Sequence, residues 1–504
     1  MLVEAEREVS RGRTSSKRAG RDGDPPTGSR TAAENKGPNG RESRPTMSLE
    51  KAKHQKTAQA ELPLGARGET SEDQRSGEAS TATNGNGGSG TATLMERVVE
   101  RGNAKAALKR VRQNKGSPGV DGMTVDELPK YLVEHWEAIR AQLLDGTYQP
   151  KPVREVEIPK NGGGVRKLGI PSVLDRFLQQ SILQVLQPMF DPTFSKHSHG
   201  FRPGHNAHDA VCEAQRYIQE GKRVVVDVDL EKFFDRVNHD VLMGRLEKRI
   251  GDRRMLRLVR RYLEAGIMAD GVVMERYEGT PQGGPLSPLL ANVLLDEVDN
   301  ELERRGLSFV RYADDLNVYV RSKRAGEDAM QTLRRLYARL RLQINESKSA
   351  VARPQDRKFL GYSFWDAEGG EVKRRVAPKA LEAMKNRVRA ITSRTRGRSL
   401  AEVVAELRSY LPGWREYFRL DQTPRLFRNL DAWIRRRLRM VQLKQWKQGP
   451  TVFRELRARG LSTRAAAEVA AHCRHWWRTA KHVGLQTALP NRYFDQVGLP
   501  RLER

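Results

Sequence analysis

In Phe309-Val310-Arg311-Tyr312-Ala313-Asp314-Asp315-Leu316, two adjacent acids interrupt an otherwise strand-like, largely apolar run. A second such run, Val226-Asp227-Val228-Asp229-Leu230, lies some 85 residues upstream. Acids at buried strand ends are costly unless a cation or a hydrogen-bond donor compensates them. A divalent ion does so, and Mg²⁺ favours a few carboxylates together with phosphate oxygens and water. Two such ions, about 4 Å apart, perform phosphoryl transfer by activating an attacking hydroxyl and stabilising the leaving pyrophosphate. Asp229 and Asp314 suit the ligand role, and Asp315 supports the second ion or orients the turn. Successive side chains of a strand point to opposite faces, so Asp314 and Asp315 share a site only if the chain turns between them. A lone Asp-Asp pair is more often a turn or a solvated edge. Two acid-bearing strands in a basic chain leave that reading and the metal reading both open.

The chain has 504 residues and a formal charge of +28. That length predicts two or three domains. A protein this basic attracts polyanions, nucleic acid most often and a membrane surface as the plainer alternative. No run approaches the roughly 18 apolar residues of a membrane span, and the first residues lack the apolar stretch of a signal peptide. Cys212 and Cys473 form no CxxC pair, which suits a reducing interior. The expectation is a cytoplasmic protein that binds nucleic acid and no membrane.

Residues 1–92 contain no Phe, Trp, Tyr or Ile and end in a Gly/Ser/Thr/Asn-rich stretch. Such a segment cannot offset its ordering entropy by burial, so a disordered tail is expected. Its deletion is predicted to leave catalysis intact, and complete loss of activity in the truncated chain would refute this. From Leu94 a helix is expected with Val98, Val99, Ala106, Leu108 and Val111 inward. Thr124 to Glu127 then reads as a capping box for a short helix through Val133. Val153 to Pro159 and Val165 to Ile170 read as a hairpin around Asn161 to Gly164, followed by a helix through Phe190. Arg223 to Leu230 reads as a buried strand, Leu307 to Val310 and Asn317 to Val320 as a hairpin, and Gly326 to Leu342 as a helix. Beyond Glu371 the pattern becomes helical and dense in Arg. Between Glu371 and Pro450 there are 21 Lys plus Arg against 7 Asp plus Glu, half of the chain's excess charge in 80 residues.

The same acidic segments carry a family resemblance. Tyr312-Ala313-Asp314-Asp315 resembles the catalytic loop of reverse transcriptases, and Asp229 to Asp235 with Asn238-His239 resembles their first palm motif. With Gly279 to Asp299, the ordered series resembles bacterial group II intron-encoded reverse transcriptase/maturases. The resemblance implies an α/β multidomain fold: a right-hand polymerase with fingers, a palm of antiparallel sheet plus helices, and an all-helical thumb/maturase region. It divides the chain into a tail at 1–92, fingers with an RNA-binding extension at 93–222, palm at 223–370, thumb/maturase at 371–450, and a maturase/DNA-binding-like extension at 451–504.

The resemblance implies an RNA-directed DNA polymerase using two Mg²⁺ ions and dNTPs, which binds its group II intron RNA, assists splicing and copies the intron during retrohoming. Asp229, Asp314 and Asp315 match the metal-binding acids, with the Leu230 carbonyl as a backbone ligand. Phe234 matches the bulky residue that excludes a ribose 2′-hydroxyl. Lys160 and Arg166 match fingers cations over the triphosphate, Gln282 the loop beside the nucleotide, and Lys348 a phosphate contact. Tyr312, Leu360 and Gly361 fall in the primer region, Arg176 on the template path, and Arg202 in the signature His199-Gly200-Phe201-Arg202-Pro203-Gly204, with a structural and template-positioning role. Arg415, Arg435, Arg436, Arg437, Arg439, Lys444 and Lys447 are the thumb and maturase phosphate binders; Trp414, Tyr417, Phe418 and Trp433 are core. The expected partners are intron RNA, target DNA and primer, with room for a homodimer, in the bacterial cytoplasm and at the nucleoid when DNA is engaged. Many relatives continue into an HNH endonuclease with paired cysteines; here Cys473 stands alone, so second-strand cleavage is not expected. Three rivals stay open: a splicing factor whose acids are relics, a reverse transcriptase detached from any intron, and a DNA-dependent polymerase of the same fold.

Overall fold

A computed structural model describes residues 94–159, 165–269, 272–281 and 283–503. The expectations for the tail, for Lys160 and for Gln282 lie outside these residues, as does the side chain of Arg166.

Two helices, Leu94–Val99 and Arg101–Asn114, replace the single one expected. The break at Glu100 shifts the inward phase, so Ala107 is buried and Ala106 faces solvent. Glu127 accepts hydrogen bonds from the backbone and hydroxyl of Thr124, but the helix it introduces, Leu128–Leu144, runs well past Val133. Val133 itself is exposed, while Leu128, Ile139 and Leu143 carry the buried stripe.

The hairpin forms where the alternation predicts it, as β1 (Val153–Pro159) and β2 (Val165–Ile170), antiparallel with Ile158 opposite Arg166. The helix Val173–Phe190 follows, its Ser172 side chain accepting from the Asp175 amide. The acid-bearing strand is β3 (Val224–Val228), shorter than expected because the backbone leaves the ladder before Asp229. A short pair absent from the sequence reading, β4 (Ile267–Ala269) and β5 (Val272–Met274), extends the hairpin sheet, with β4 parallel to β1. The second acidic stretch forms β6 (Ser308–Tyr312) and β7 (Asp315–Val320), and β8 (Ala350–Ala352) completes a sheet of order β6-β7-β3-β8. The strands β9 (Tyr362–Asp366) and β10 (Val372–Val376) make a separate hairpin. The helical region therefore begins at Pro378, not at Glu371.

The β6-β7-β3-β8 sheet is covered on both faces, which explains its nearly continuous apolar strands. Val226, Val228, Phe309, Leu316 and Val318 join a core with the helices Ser287–Arg304 and Lys323–Arg339. Val225, Val310 and Tyr319 point the other way, into a core shared with the helix Ala207–Gln219, the β9/β10 hairpin and the helices Leu400–Tyr417 and Leu426–Trp446. By alternation, Asp227 and Asp229 belong to the Val225 face. Among the described residues, no helix is long and apolar enough to cross a membrane.

Candidate active site

The register places the acids. Asp227 lies opposite Asn317 and Val228 opposite Leu316, so one further step brings Asp229 opposite Asp315. Tyr312 pairs with Asp315, which leaves Ala313 and Asp314 as the two-residue turn of a hairpin. Ala313 has φ +59°. Primed hairpin turns want glycine at a positive-φ position, and an L-residue there costs roughly 1–2 kcal/mol. The strained turn takes Asp314 out of the ladder, and its charge reaches Asp315.

Asp315 feels this crowding. Burial pushes its carboxyl well above the usual range, and the negative charges of Asp227, Asp314 and Asp229 push it further, against Lys358. Three other carboxyls thus lie within electrostatic reach of Asp315. Asp227, on which the sequence reading placed no role, is held by Arg357 at 2.6 Å and raised by its burial. The i, i+2 spacing of Asp227 and Asp229 was the available signal for it. Asp229 is half exposed, and its backbone is fixed by Ser349 Oγ at 3.0 Å and by the Asn345 amide at 2.8 Å. The Lys348 ammonium stands 3.5 Å from Asp229 Oδ1. Among the described residues, no group of three or more His, Cys, Asp or Glu side chains is placed to hold a metal ion. The donors at hand are all oxygens, and Asp229 among them is open to solvent, which suits an ion that retains water and takes phosphate oxygens.

A buried clamp holds the turn. Arg311 is 0% exposed and paired with the equally buried Asp299. Its Nη1 donates to the Ala313 carbonyl and to Asn292 Oδ1, both at 2.9 Å. Asn292 Nδ2 in turn donates to the Gly200 carbonyl at 2.9 Å. Gly200 lies so close that a Cβ would stand 2.1 Å from the Ala313 nitrogen. The segment His197–His199 hydrogen-bonds along the edge of β6, and both histidines bind Glu213. Burial would raise the Glu213 carboxyl, but the bonds from His197 and His199 hold it well below the usual range. Asn292, Asp299 and Arg311 escaped the sequence reading because nothing in their spacing marks a contact between a helix, a strand and a loop.

The other expected residues distribute as follows. Phe234 is half buried against the Phe233 ring, and its carbonyl accepts from the Thr280 amide at 2.7 Å. Gly279, at φ +90°, passes too close to Asp235 for any side chain. The loop that follows lies against the hairpin and the helix Val173–Phe190, since a Cβ at Gly169 would touch Pro281 and one at Gly284 would clash with Gln179. Leu360 and Gly361 form a turn with φ +50° and +80°, closed by reciprocal 2.9 Å bonds between Phe359 and Tyr362. Tyr417 donates to the Leu360 carbonyl at 2.9 Å, so the helix Leu400–Tyr417 anchors this turn. Tyr312 is half buried, with its phenol raised by that burial.

Two arginines assigned to the template side have internal duties. Arg202 is 6% exposed and bonds Asp191 and the carbonyls of Ser195 and Ser198, which leaves it little to offer RNA. Arg176 packs under Gly116 and donates to the Ser117 carbonyl at 2.7 Å, buttressing that loop. In the helical region, Trp414, Tyr417 and Phe418 are buried as expected and Trp433 is half buried. Arg415 is partly exposed, and Lys444 and Lys447 are exposed. Arg436 and Lys444 lie over the Trp477 and Trp476 rings, at 3.8 and 4.5 Å. Arg437 bonds Thr392, and Arg439 bonds the Leu489 carbonyl.

Residues 158–364 match the family model described as reverse transcriptase (RNA-dependent DNA polymerase), and residues 381–460 match that of the group II intron maturase-specific domain. The chain is 33% identical to protein YkfC of Escherichia coli (strain K12), over 49% of this chain and 75% of that protein. It is 28% identical to the group II intron-encoded protein LtrA of Lactococcus lactis subsp. cremoris, over 53% of this chain and 56% of that protein. Among solved structures it matches a chain of a partial Cas6-RT-Cas1–Cas2 complex, at 25% identity and TM-score 0.33 over 50% of this chain and 43% of that one.

Proposed function

The chain belongs to the reverse transcriptase family that carries a group II intron maturase-specific domain, and from this premise we propose that it is an RNA-directed DNA polymerase which also binds its intron RNA and assists its splicing. The observation that carries the polymerase half is the register that sets Asp229 opposite Asp315, beside the Asp314 turn. The maturase half rests on the matched domain and on its excess of cations. In this reading β3, β6, β7 and β8 are the palm, the β1/β2 hairpin belongs to the fingers, and the helices from Pro378 onward are thumb and maturase. Copying of the intron during retrohoming, with target DNA as a partner, is part of the same proposal.

Asp229, Asp314 and the Leu230 carbonyl would hold divalent ions, with Asp315 in support. Mg²⁺, as two ions, fits the all-oxygen donors. When bound, the ions lower the pKa of the primer 3′-hydroxyl and neutralise the leaving pyrophosphate. The chain's own residues do the rest. Lys348 offers its ammonium to a nucleotide or primer phosphate, shared with Asp229. The resemblance assigns Lys160 and Arg166 to the triphosphate and Gln282 to the incoming nucleotide. The Leu360-Gly361 turn brings backbone to the primer. Basic side chains such as Arg415 and Lys447 supply salt-dependent affinity for RNA without choosing its sequence.

Primer extension on an RNA template with Mg²⁺ and dNTPs tests the proposal. Extension supports it. Binding and splicing assistance without extension would reduce it to a maturase. A second expectation concerns sugar choice. Phe234→Ala removes the ring proposed to meet a 2′-hydroxyl, so the kcat/KM ratio for dNTP over rNTP should fall by about tenfold or more. An unchanged ratio, measured by single-nucleotide incorporation, would return Phe234 to a packing role.

A further inference from the structure

A cavity of about 410 Å³ opens between the helix Leu426–Trp446 and the segment 480–491, lined among others by Trp433, Arg435, Arg439, Lys481, Gln486 and Asn491. Its volume is that of an ordinary small-ligand site, roughly 300–1,000 Å³. Its lining is cationic. Some arginines elsewhere are paired with acids, as Arg334 is with Glu346 and Arg501 with Asp495. Among the described residues, Arg435, Arg439 and Lys481 have no such ion pair, and neither does Arg436, which also lines the cavity. Arg435 is only 9% exposed. The carboxylate that reaches it electrostatically, Asp495, is bonded to Arg501 at 3.0 Å. Arg439 lies one helical turn away, over the Phe494 ring, and burial with the Arg435 charge holds its guanidinium down to about 10. Like charges at this spacing repel, and desolvation makes the repulsion worse. An anion in the cavity relieves both.

The rest of the lining narrows the anion. Trp433 supplies an aromatic surface. The Gln486 amide nitrogen already donates to the Lys481 carbonyl at 2.8 Å, which leaves its carbonyl oxygen as an acceptor. Asn491, exposed at the rim, offers both a donor and an acceptor. Clustered cations, a ring and two amides are what one nucleotide needs for its phosphate, its base face and its base edge. A duplex is too wide to enter, whereas RNA presents unpaired bases that stack on aromatic side chains and hydrogen-bond through their edges.

We infer that this cavity takes a single unpaired nucleotide of the bound RNA, its phosphate on Arg435, Arg439 and Lys481 and its base between Trp433 and the amides of Gln486 and Asn491. The inference rests on the proposed RNA-binding function and names a point of contact. It also extends that contact beyond the matched maturase domain, which ends at residue 460.

The test uses the full chain and two hairpin RNAs that differ only by one bulged nucleotide. The intact chain should bind the bulged hairpin about tenfold more tightly, the scale of one base stacked on an aromatic ring. The double variant Lys481→Ala/Asn491→Ala changes two exposed residues and should lose that preference. Equal binding of the two hairpins by the intact chain, or a preference that survives the double variant, overturns the inference. Micromolar binding of a free nucleoside monophosphate, abolished by the same variant, would also overturn it by making the cavity a small-molecule site. Primer extension by the intact chain is measured alongside. If extension fails while the bulge preference holds, the polymerase reading falls and the cavity assignment stands.

Discussion

Asp314→Ala should lower primer extension by about 10³-fold or more, equivalent to about 4 kcal/mol of lost transition-state stabilisation. RNA binding should stay within about twofold, since phosphate affinity comes from the basic residues. The size of the effect follows from geometry. Asp229 sits at the end of β3, and Asp315 opens β7 directly opposite. Asp314 follows Ala313 in the turn, and its charge reaches Asp315. Removing it leaves the remaining carboxyls to hold the ions at one end only. Asp314→Asn separates charge from shape, because it keeps the side chain's size and one oxygen; it should fail nearly as badly. The measurement is single-turnover extension of a labelled primer on RNA. If Asp314→Ala extends within tenfold of the parent, the catalytic centre is not at this turn.

Much of this centre was legible before any coordinates. Both acidic strands and the β1/β2 hairpin could be read because alternation and turn chemistry are local signals, whereas the turn expected between Asp314 and Asp315 falls one residue earlier, on Ala313 and Asp314. What failed was also physical. The helix at Leu128 overran its expected end because Val133 points to solvent and was no proper terminus. The phase slip at Glu100 moved burial from Ala106 to Ala107, a one-residue change that periodicity cannot resolve. The strand β10 reads as the onset of helices because its Lys373, Arg374 and Arg375 belong by composition to the basic region, while its ladder partner lies on β9.

The site residues divide in the same way. Residue type and spacing put Asp229 and Asp314 forward from sequence, and the strand register then brings Asp229 opposite Asp315. Arg202 could not be judged, because an arginine bound to Asp191 and to two carbonyls reads the same as one waiting for phosphate. The Gly200 contact was equally hidden. The motif around it was legible, but its closeness to the Ala313 nitrogen arises only when a loop 113 residues away in sequence folds against the β6 edge.

The clamp behind the turn gives the second large effect. Arg311→Met alone leaves the Asp299 carboxylate buried without its cation, which typically costs about 3–5 kcal/mol. The variant should melt well below the parent and lose extension with its fold, so by itself it is uninformative about catalysis. Arg311→Met with Asp299→Leu separates the two. Replacing both charges by apolar groups of similar size removes the uncompensated acid, and such replacements are often neutral for stability. The double variant should therefore melt close to the parent. It still lacks the donor to the Ala313 carbonyl and to Asn292. A positive-φ alanine persists only where its surroundings over-determine it, and here the Arg311 guanidinium and the Gly200 backbone do so. With one of the two gone, Asp314 samples positions away from Asp229. A lost hydrogen bond to a charged group is worth about 1.5–3 kcal/mol, so kcat should fall about 10- to 100-fold. KM for dNTP should change little, because Arg311 is buried and a positioning residue acts on the step, not on the encounter. Recovery of full extension together with stability would show that Arg311 serves the fold alone, and that the turn keeps its shape without it.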